Sequence, residues 1–144
     1  VSEEHFELEA KIAKVDEDNR IAFGLFSVMK IGGELVHDME DDRVETHEIE
    51  KAAYEYVKES RDASVNHTEL GVGDLIETMV FTKEKVEALK KALTAAGIPH
   101  TIEIDGEFWW GGHYIKNDTV WKGVKSGDYE SWSIGGSAHR KAAS

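Results

Sequence analysis

The chain has 144 residues, of which 40% are hydrophobic and which include four Trp, five Phe and four Tyr, enough apolar surface for one packed domain over 1–144. Its 29 acidic against 17 basic side chains leave a net charge of −12, which argues against nucleic acid as a partner, because affinity for a phosphate backbone rests on clustered Lys and Arg. The absence of cysteine excludes disulfides, thiolate catalysis and zinc–cysteine sites and points to an intracellular compartment, and neither a membrane span of roughly 20 apolar residues nor a basic-then-apolar leader is present.

Phe6, Leu8, Ala10 and Ile12 alternate with mostly polar residues, the acidic turn Asp16-Glu17-Asp18-Asn19 follows, and Ile21, Phe23 and Leu25 alternate again, so the chain opens with a β-hairpin. The segment from Gly32 to Glu45 has no period and reads as a solvated loop; its acidic residues lack the alternate oxygens and central glycine of a calcium loop. Thr46 is placed to cap a helix that puts Ile49, Ala52, Ala53, Tyr56 and Val57 on one face. Two strands then follow, Ala63–His67 and Leu75–Phe81, joined by a loop holding Gly71 and Gly73. A helix from Lys83 to Ala96 turns Val86, Leu89 and Leu93 inward and stops at Gly97.

Ile98 to Ile104 reads as a strand, Asp105-Gly106 as a hairpin turn, and Phe108 to Ile115 as the returning strand, with Gly111-Gly112 marking a bulge or close packing. A helix from Asp118 to Lys125 ends at Gly127, and a last strand runs from Tyr129 to Ile134. Single helices inserted between strands, without βαβ alternation, give an α+β fold: a mainly antiparallel, barrel-like sheet with three surrounding helices.

The chemistry-bearing residues are Ser133, in Trp132-Ser133-Ile134-Gly135-Gly136, and His67 at a strand end. A serine hydroxyl needs an imidazole to take its proton, and paired glycines let an oxyanion approach backbone N–H groups closely. Ser-x-Gly-Gly is also ordinary turn composition, so it carries little by itself. Trp132 is either a core residue or a wall beside the nucleophile. Ser131 lacks the adjacent glycines and is the poorer nucleophile. No histidine pair stands at metal-ligand spacing beside suitable carboxylates, except that His37-Asp38 and His47 flank the acidic loop, and neither a metal nor another cofactor is expected.

The order of these segments resembles the tailed-phage prohead proteases, and most of all their XkdF-type branch. The likeness runs from the first hairpin to Gly136, through Glu48-Ile49-Glu50-Lys51-Ala52-Ala53, the strand ending in His67, Ile76-Glu77-Thr78, Trp109 to Ile115, Val120-Trp121-Lys122-Gly123-Val124-Lys125-Ser126-Gly127-Asp128-Tyr129, and the Ser133 strand. The resemblance implies a herpesvirus-protease-like barrel and a serine endopeptidase that cleaves phage scaffold and major capsid proteins inside the immature head, in the host cytoplasm. It carries the nucleophile onto Ser133 and the base onto His67, with oxyanion donors near Gly135 and Gly136. For the group that orients His67, Glu77 is the first choice, with Asp62, Glu69 and Asp74 behind it and His139 the sole such candidate after the serine. The register between the strands of His67 and Glu77 decides whether they share a face.

Only eleven residues follow Ser133, so a truncated or self-processed terminus is an expectation, as is a homo-oligomer. The rival reading is a non-catalytic capsid-assembly module that keeps the protease-like barrel as a scaffold-binding domain.

Overall fold

The computed structural model describes residues 2–36, 45–65 and 69–140, and within them the side chains of 8–36, 45–63 and 72–135. The elements in chain order are β1 (Ser2–Asp16), β2 (Ile21–Ile31), β3 (Glu34–Leu35), α1 (Thr46–Glu59), β4 (Asp62–Val65), β5 (Glu69–Phe81), α2 (Lys83–Ala95), β6 (Gly106–Ile115), α3 (Asp118–Ser126) and β7 (Ser131–Arg140). All strand pairings are antiparallel. The order β1-β7-β4-β5-β6-β2, closed by a β1–β2 pairing, makes a six-stranded barrel, with the short β3 added to β2.

Closure follows from alternation. Ala10, Ala22, Phe26, Ala63, Trp109, Ile115, Trp132 and Ile134 all turn inward and are buried, while their immediate neighbours turn outward. One interior rung runs Ile134–Ala63–Gly73–Ile115 across four strands. Helix α1 contacts β2, β5, β6 and β7 and adds Ile49, Ala52, Ala53 and Tyr56 to this core, and α3 adds Val120, Trp121 and Val124.

The expected bulge or close packing at Gly111-Gly112 resolves as close packing. A Cβ at Gly111 would stand 2.6 Å from the Phe26 ring, and one at Gly112 2.6 Å from Phe23. The register shift lies across from them, between Leu75 and Glu77 of β5. Gly127 ends α3 in the left-handed conformation, φ 89°, and the chain then returns so that the Tyr129 N–H donates to the Gly123 carbonyl at 3.0 Å. A Cβ at Gly123 would lie 2.4 Å from the Tyr129 ring, so the helix-Gly-x-Tyr segment is a packing device that sets the entry into β7.

Four local expectations change. Thr46 is inside α1, and its hydroxyl donates to Glu107 Oε1 at 2.8 Å instead of capping the helix. The other oxygen of the same carboxylate accepts the Lys83 N–H at 2.8 Å at the start of α2. The two strands after α1 are β4 and a longer β5, so Gly71 and Gly73 lie within a strand and not in a loop. The segment 98–104 is not a strand, because β2 and β5 already occupy both flanks of β6. It folds back along α2, with the Ile98 N–H donating to the Leu93 carbonyl at 2.9 Å. Finally, β7 starts at Ser131 and continues to Arg140, well past Ile134, because β1 pairs with it along this whole length. Most of the acidic loop, residues 37–44, lies outside the described residues.

Candidate active site

Strand β7 has two chemically different faces. Trp132 and Ile134 point into the barrel, 3% and 0% exposed, so Ser131, Ser133 and Gly135 belong to the opposite face. The strand is gripped on both sides: across β1 Ser133 pairs with Glu9, and across β4 it pairs with Ser64. Ser133 is itself only 3% exposed. His67 lies outside the described residues, in the three-residue connection between Val65 and Glu69, which pair with each other. His67 is three positions beyond Ser64 along the chain, a reach of at most about 11 Å.

The register removes Glu77 from this neighbourhood. Gly73 is level with Ala63, which is level with Ile134, and Glu77 lies four residues further along β5, on the side away from Ser133. It sits opposite Gly112 and is exposed, roughly 17 Å from the Ser133 level by strand rise alone. Asp74 pairs with Asp62 one rung from Ala63, and its carboxylate meets the Lys116 ammonium at 3.1 Å. Asp62 is half-buried, and its Oδ1 accepts the Ala63 N–H at 3.2 Å. Glu69 is opposite Val65 at the head of β5, and His139 lies six residues beyond Ser133, about 20 Å along β7. Gly135 is half-buried opposite Glu7, and Gly136 follows opposite Phe6.

Trp132 is thus a core residue, and it joins a polar chain that sequence reasoning missed. Its indole N–H donates to His113 Nδ1 at 2.9 Å, which makes that nitrogen an unprotonated acceptor. The ring proton is therefore on Nε2, which donates to the Tyr56 hydroxyl oxygen at 2.7 Å, and the Tyr56 hydroxyl donates to the Asp62 carbonyl. Each donor meets one acceptor. Burial pushes the His113 pKa down to about 3, so the ring is neutral at ordinary pH. Burial, reinforced by the charges of Asp62 and Asp74, pushes the Tyr56 hydroxyl up. The chain links Trp132 on β7 to the first residue of β4, the two strands that meet at Ser133.

The second residue that the sequence did not single out is Glu9. It is exposed, and its Oε1 accepts a hydrogen bond from the Ser131 hydroxyl, so the carboxylate is held on the outer face beside Ser133. Alternation along β1 puts Glu9 on the outside, but no local signal says that its neighbour is the Ser133 strand, 124 positions away.

Among the described residues no group of three or more His, Cys, Asp or Glu could hold a metal ion, and no helix is long and apolar enough to cross a membrane. A shallow hollow on α2, lined by Glu87, Lys90, Lys91, Thr94, Ala95 and His100, is on a different element from Ser133. A family model described as "Putative phage serine protease XkdF" matches residues 9–142. No curated protein and no solved structure matches the chain.

Proposed function

The chain belongs to this XkdF family of phage serine proteases, and from that premise we propose that it is a serine endopeptidase of the prohead type, with Ser133 as nucleophile and His67 as base. The observation that carries the reading is the rung Glu9–Ser133–Ser64, which puts the serine of the Ser-Ile-Gly-Gly strand next to the strand that leads, three residues on, to His67. In the proposed cycle Ser133 Oγ attacks the scissile carbonyl and His67 takes its proton. The tetrahedral intermediate collapses to an acyl-enzyme as His67 protonates the leaving amine, and water then releases the acyl group by the same steps.

Support for the oxyanion site comes from the ladder. The β4 pairing with β7 reaches only Ser133 and Ile134, while successive residues of a strand direct their N–H groups to opposite sides. One of Gly135 and Gly136 therefore turns its N–H to the β4 flank beyond the last paired residue, Ile134, and the lack of a side chain allows an acyl oxygen to approach. Of the acidic candidates on the hairpin that carries His67, Asp62 and Asp74 pair with each other at its far end, and Glu69, opposite Val65, is the one next to the connection that holds His67, which makes it the better candidate to orient the imidazole. The substrates in this reading are the scaffold and major capsid proteins of the assembling head in the host cytoplasm. No cofactor takes part.

The near-complete cover of Ser133 keeps competing water from the hydroxyl in the enzymatic reading, and it is also the observation that favours a non-catalytic capsid-assembly module. One experiment separates the two. Scaffold and coat proteins encoded beside this gene are incubated with wild type, Ser133→Ala and His67→Ala, with thermal unfolding run on each. Cleavage by wild type that falls by several orders of magnitude in both folded variants supports the protease. A folded wild type that binds these proteins without cutting them makes it the module.

A further inference from the structure

We propose that Glu9 selects a basic side chain on the substrate, Lys or Arg, next to the bond that Ser133 cuts. The inference rests on the serine-peptidase reading and adds to it the class of substrate. Glu9 stands directly opposite Ser133 across the β1–β7 ladder, where facing side chains have Cβ atoms about 5 Å apart. Both residues lie on the outer face, since Ala10 and Trp132, their neighbours in sequence, are buried in the barrel. The carboxylate is exposed, and the Ser131 hydroxyl holds it in place.

Strand order decides which role this carboxylate takes. The strand that leads to His67 is β4, on one side of β7, and Glu9 is on β1, on the other side. Two strand spacings, roughly 10 Å, separate β1 from β4, and the Glu9 carboxylate is committed to Ser131 on the intervening strand. Glu9 therefore flanks the nucleophile on the β1 side, the flank opposite the strand that precedes His67, and its role is toward a substrate side chain and not toward the imidazole. Lys11, exposed and of opposite sign, occupies the next rung, opposite Ser131. A carboxylate pre-oriented by a hydroxyl donor and open to a cation is suited to a guanidinium or ammonium group.

The test uses the whole chain in two parallel assays. A neutral fluorophosphonate reports labelling of Ser133, and a proteome-derived peptide mixture, read by mass spectrometry, reports which side chains flank the cut bonds. Wild type is expected to cut bonds flanked by Lys or Arg about tenfold or more in preference to Gln or Met. Glu9→Gln keeps an acceptor for Ser131 and removes only the charge, so cutting beside Lys or Arg falls to the level seen beside Gln or Met and the preference disappears. Glu9→Lys shifts the preference to Asp and Glu. Normal labelling with no basic preference in wild type, or a preference unchanged in Glu9→Gln, overturns the role of Glu9 alone. A wild type that neither labels nor cuts overturns the peptidase reading, and this inference with it.

Discussion

The two faces of β7 solve opposite problems with neighbouring residues. On the inner face, Trp132 and Ile134 are fully enclosed, and the polar atom of Trp132 is spoken for by His113, whose other nitrogen is bound in turn by Tyr56. On the outer face, Ser131, Ser133 and Glu9 gather a hydroxyl, a candidate nucleophile and an exposed carboxylate within one rung of each other. A buried polar network is stabilising when every donor has an acceptor, and such a network has no capacity left for a substrate. The lesson is that the histidine best defined by its contacts, His113, is the one least suited to catalysis: it is neutral, enclosed and committed at both nitrogens.

The sharpest break between the faces comes from adjacent substitutions. Ser133→Ala is expected to lower peptide cleavage by about 10⁴-fold or more while the thermal midpoint stays near that of wild type. Ile134→Ala, one residue away and fully enclosed, is expected to cost about 2–5 kcal/mol in denaturant unfolding, because it opens a cavity in the barrel. Activity then falls only as far as the folded fraction does. Equal stability losses in the two variants would erase the distinction between faces.

A smaller effect is expected from acid. His113 has a folded pKa of about 3 against an ordinary 6.5, so between these values the unfolded chain binds a proton that the folded chain refuses. Its contribution to stability is complete above pH 6.5 and erodes as pH falls toward 3, by about 2 kcal/mol between pH 7.5 and 5. Urea unfolding at the two pH values measures the loss, and His113→Gln flattens the difference even as it lowers the baseline. Further down, Glu107 adds to the same trend. Burial works to raise its pKa, but the Lys83 N–H, the Thr46 hydroxyl and the Lys30 charge together outweigh burial and hold it below the usual carboxylate value, so its contribution is lost only as pH falls below about 4.5. The smallest effect belongs to Glu77→Gln. Exposed and remote from Ser133, it is expected to change cleavage less than about twofold and stability by less than ~0.5 kcal/mol. A hundredfold loss would return Glu77 to the site.

Much of this arrangement is legible in the sequence. The 3.6-residue spacing of Ile49, Ala52, Ala53 and Tyr56, the stop at Gly127 and the opening hairpin are local signals, and the elements they predict are present. The barrel also follows the alternation and the resemblance. Register was not legible, because Glu9 pairs with Ser133 from 124 positions away and the β4–β5 hairpin carries a register shift between Ala63 and Val65 that no local pattern announces. That is why Glu77, ten residues from His67 in the chain, read as a neighbour, and why Glu9 did not. His113 was hidden for a related reason, since only closure of the barrel brings Tyr56 and Trp132 to the same ring. The segment 98–104 misled because its alternating isoleucines satisfy a strand pattern where no strand is free to receive it.

Among the described residues the β4–β7 ladder comprises two residue pairs, against ten between β1 and β7. A closed barrel has no edge strand, yet this one is a single short splice from having two, and the splice falls at Ser133. Parting it would leave the rest of the sheet paired while exposing raw backbone on β7 and β4, the kind of border along which separate chains add to one another. Amide hydrogen exchange should be faster at Ala63 and Ser64 than along the middle of β1, and a sample that thickens on storage should do so through this splice first.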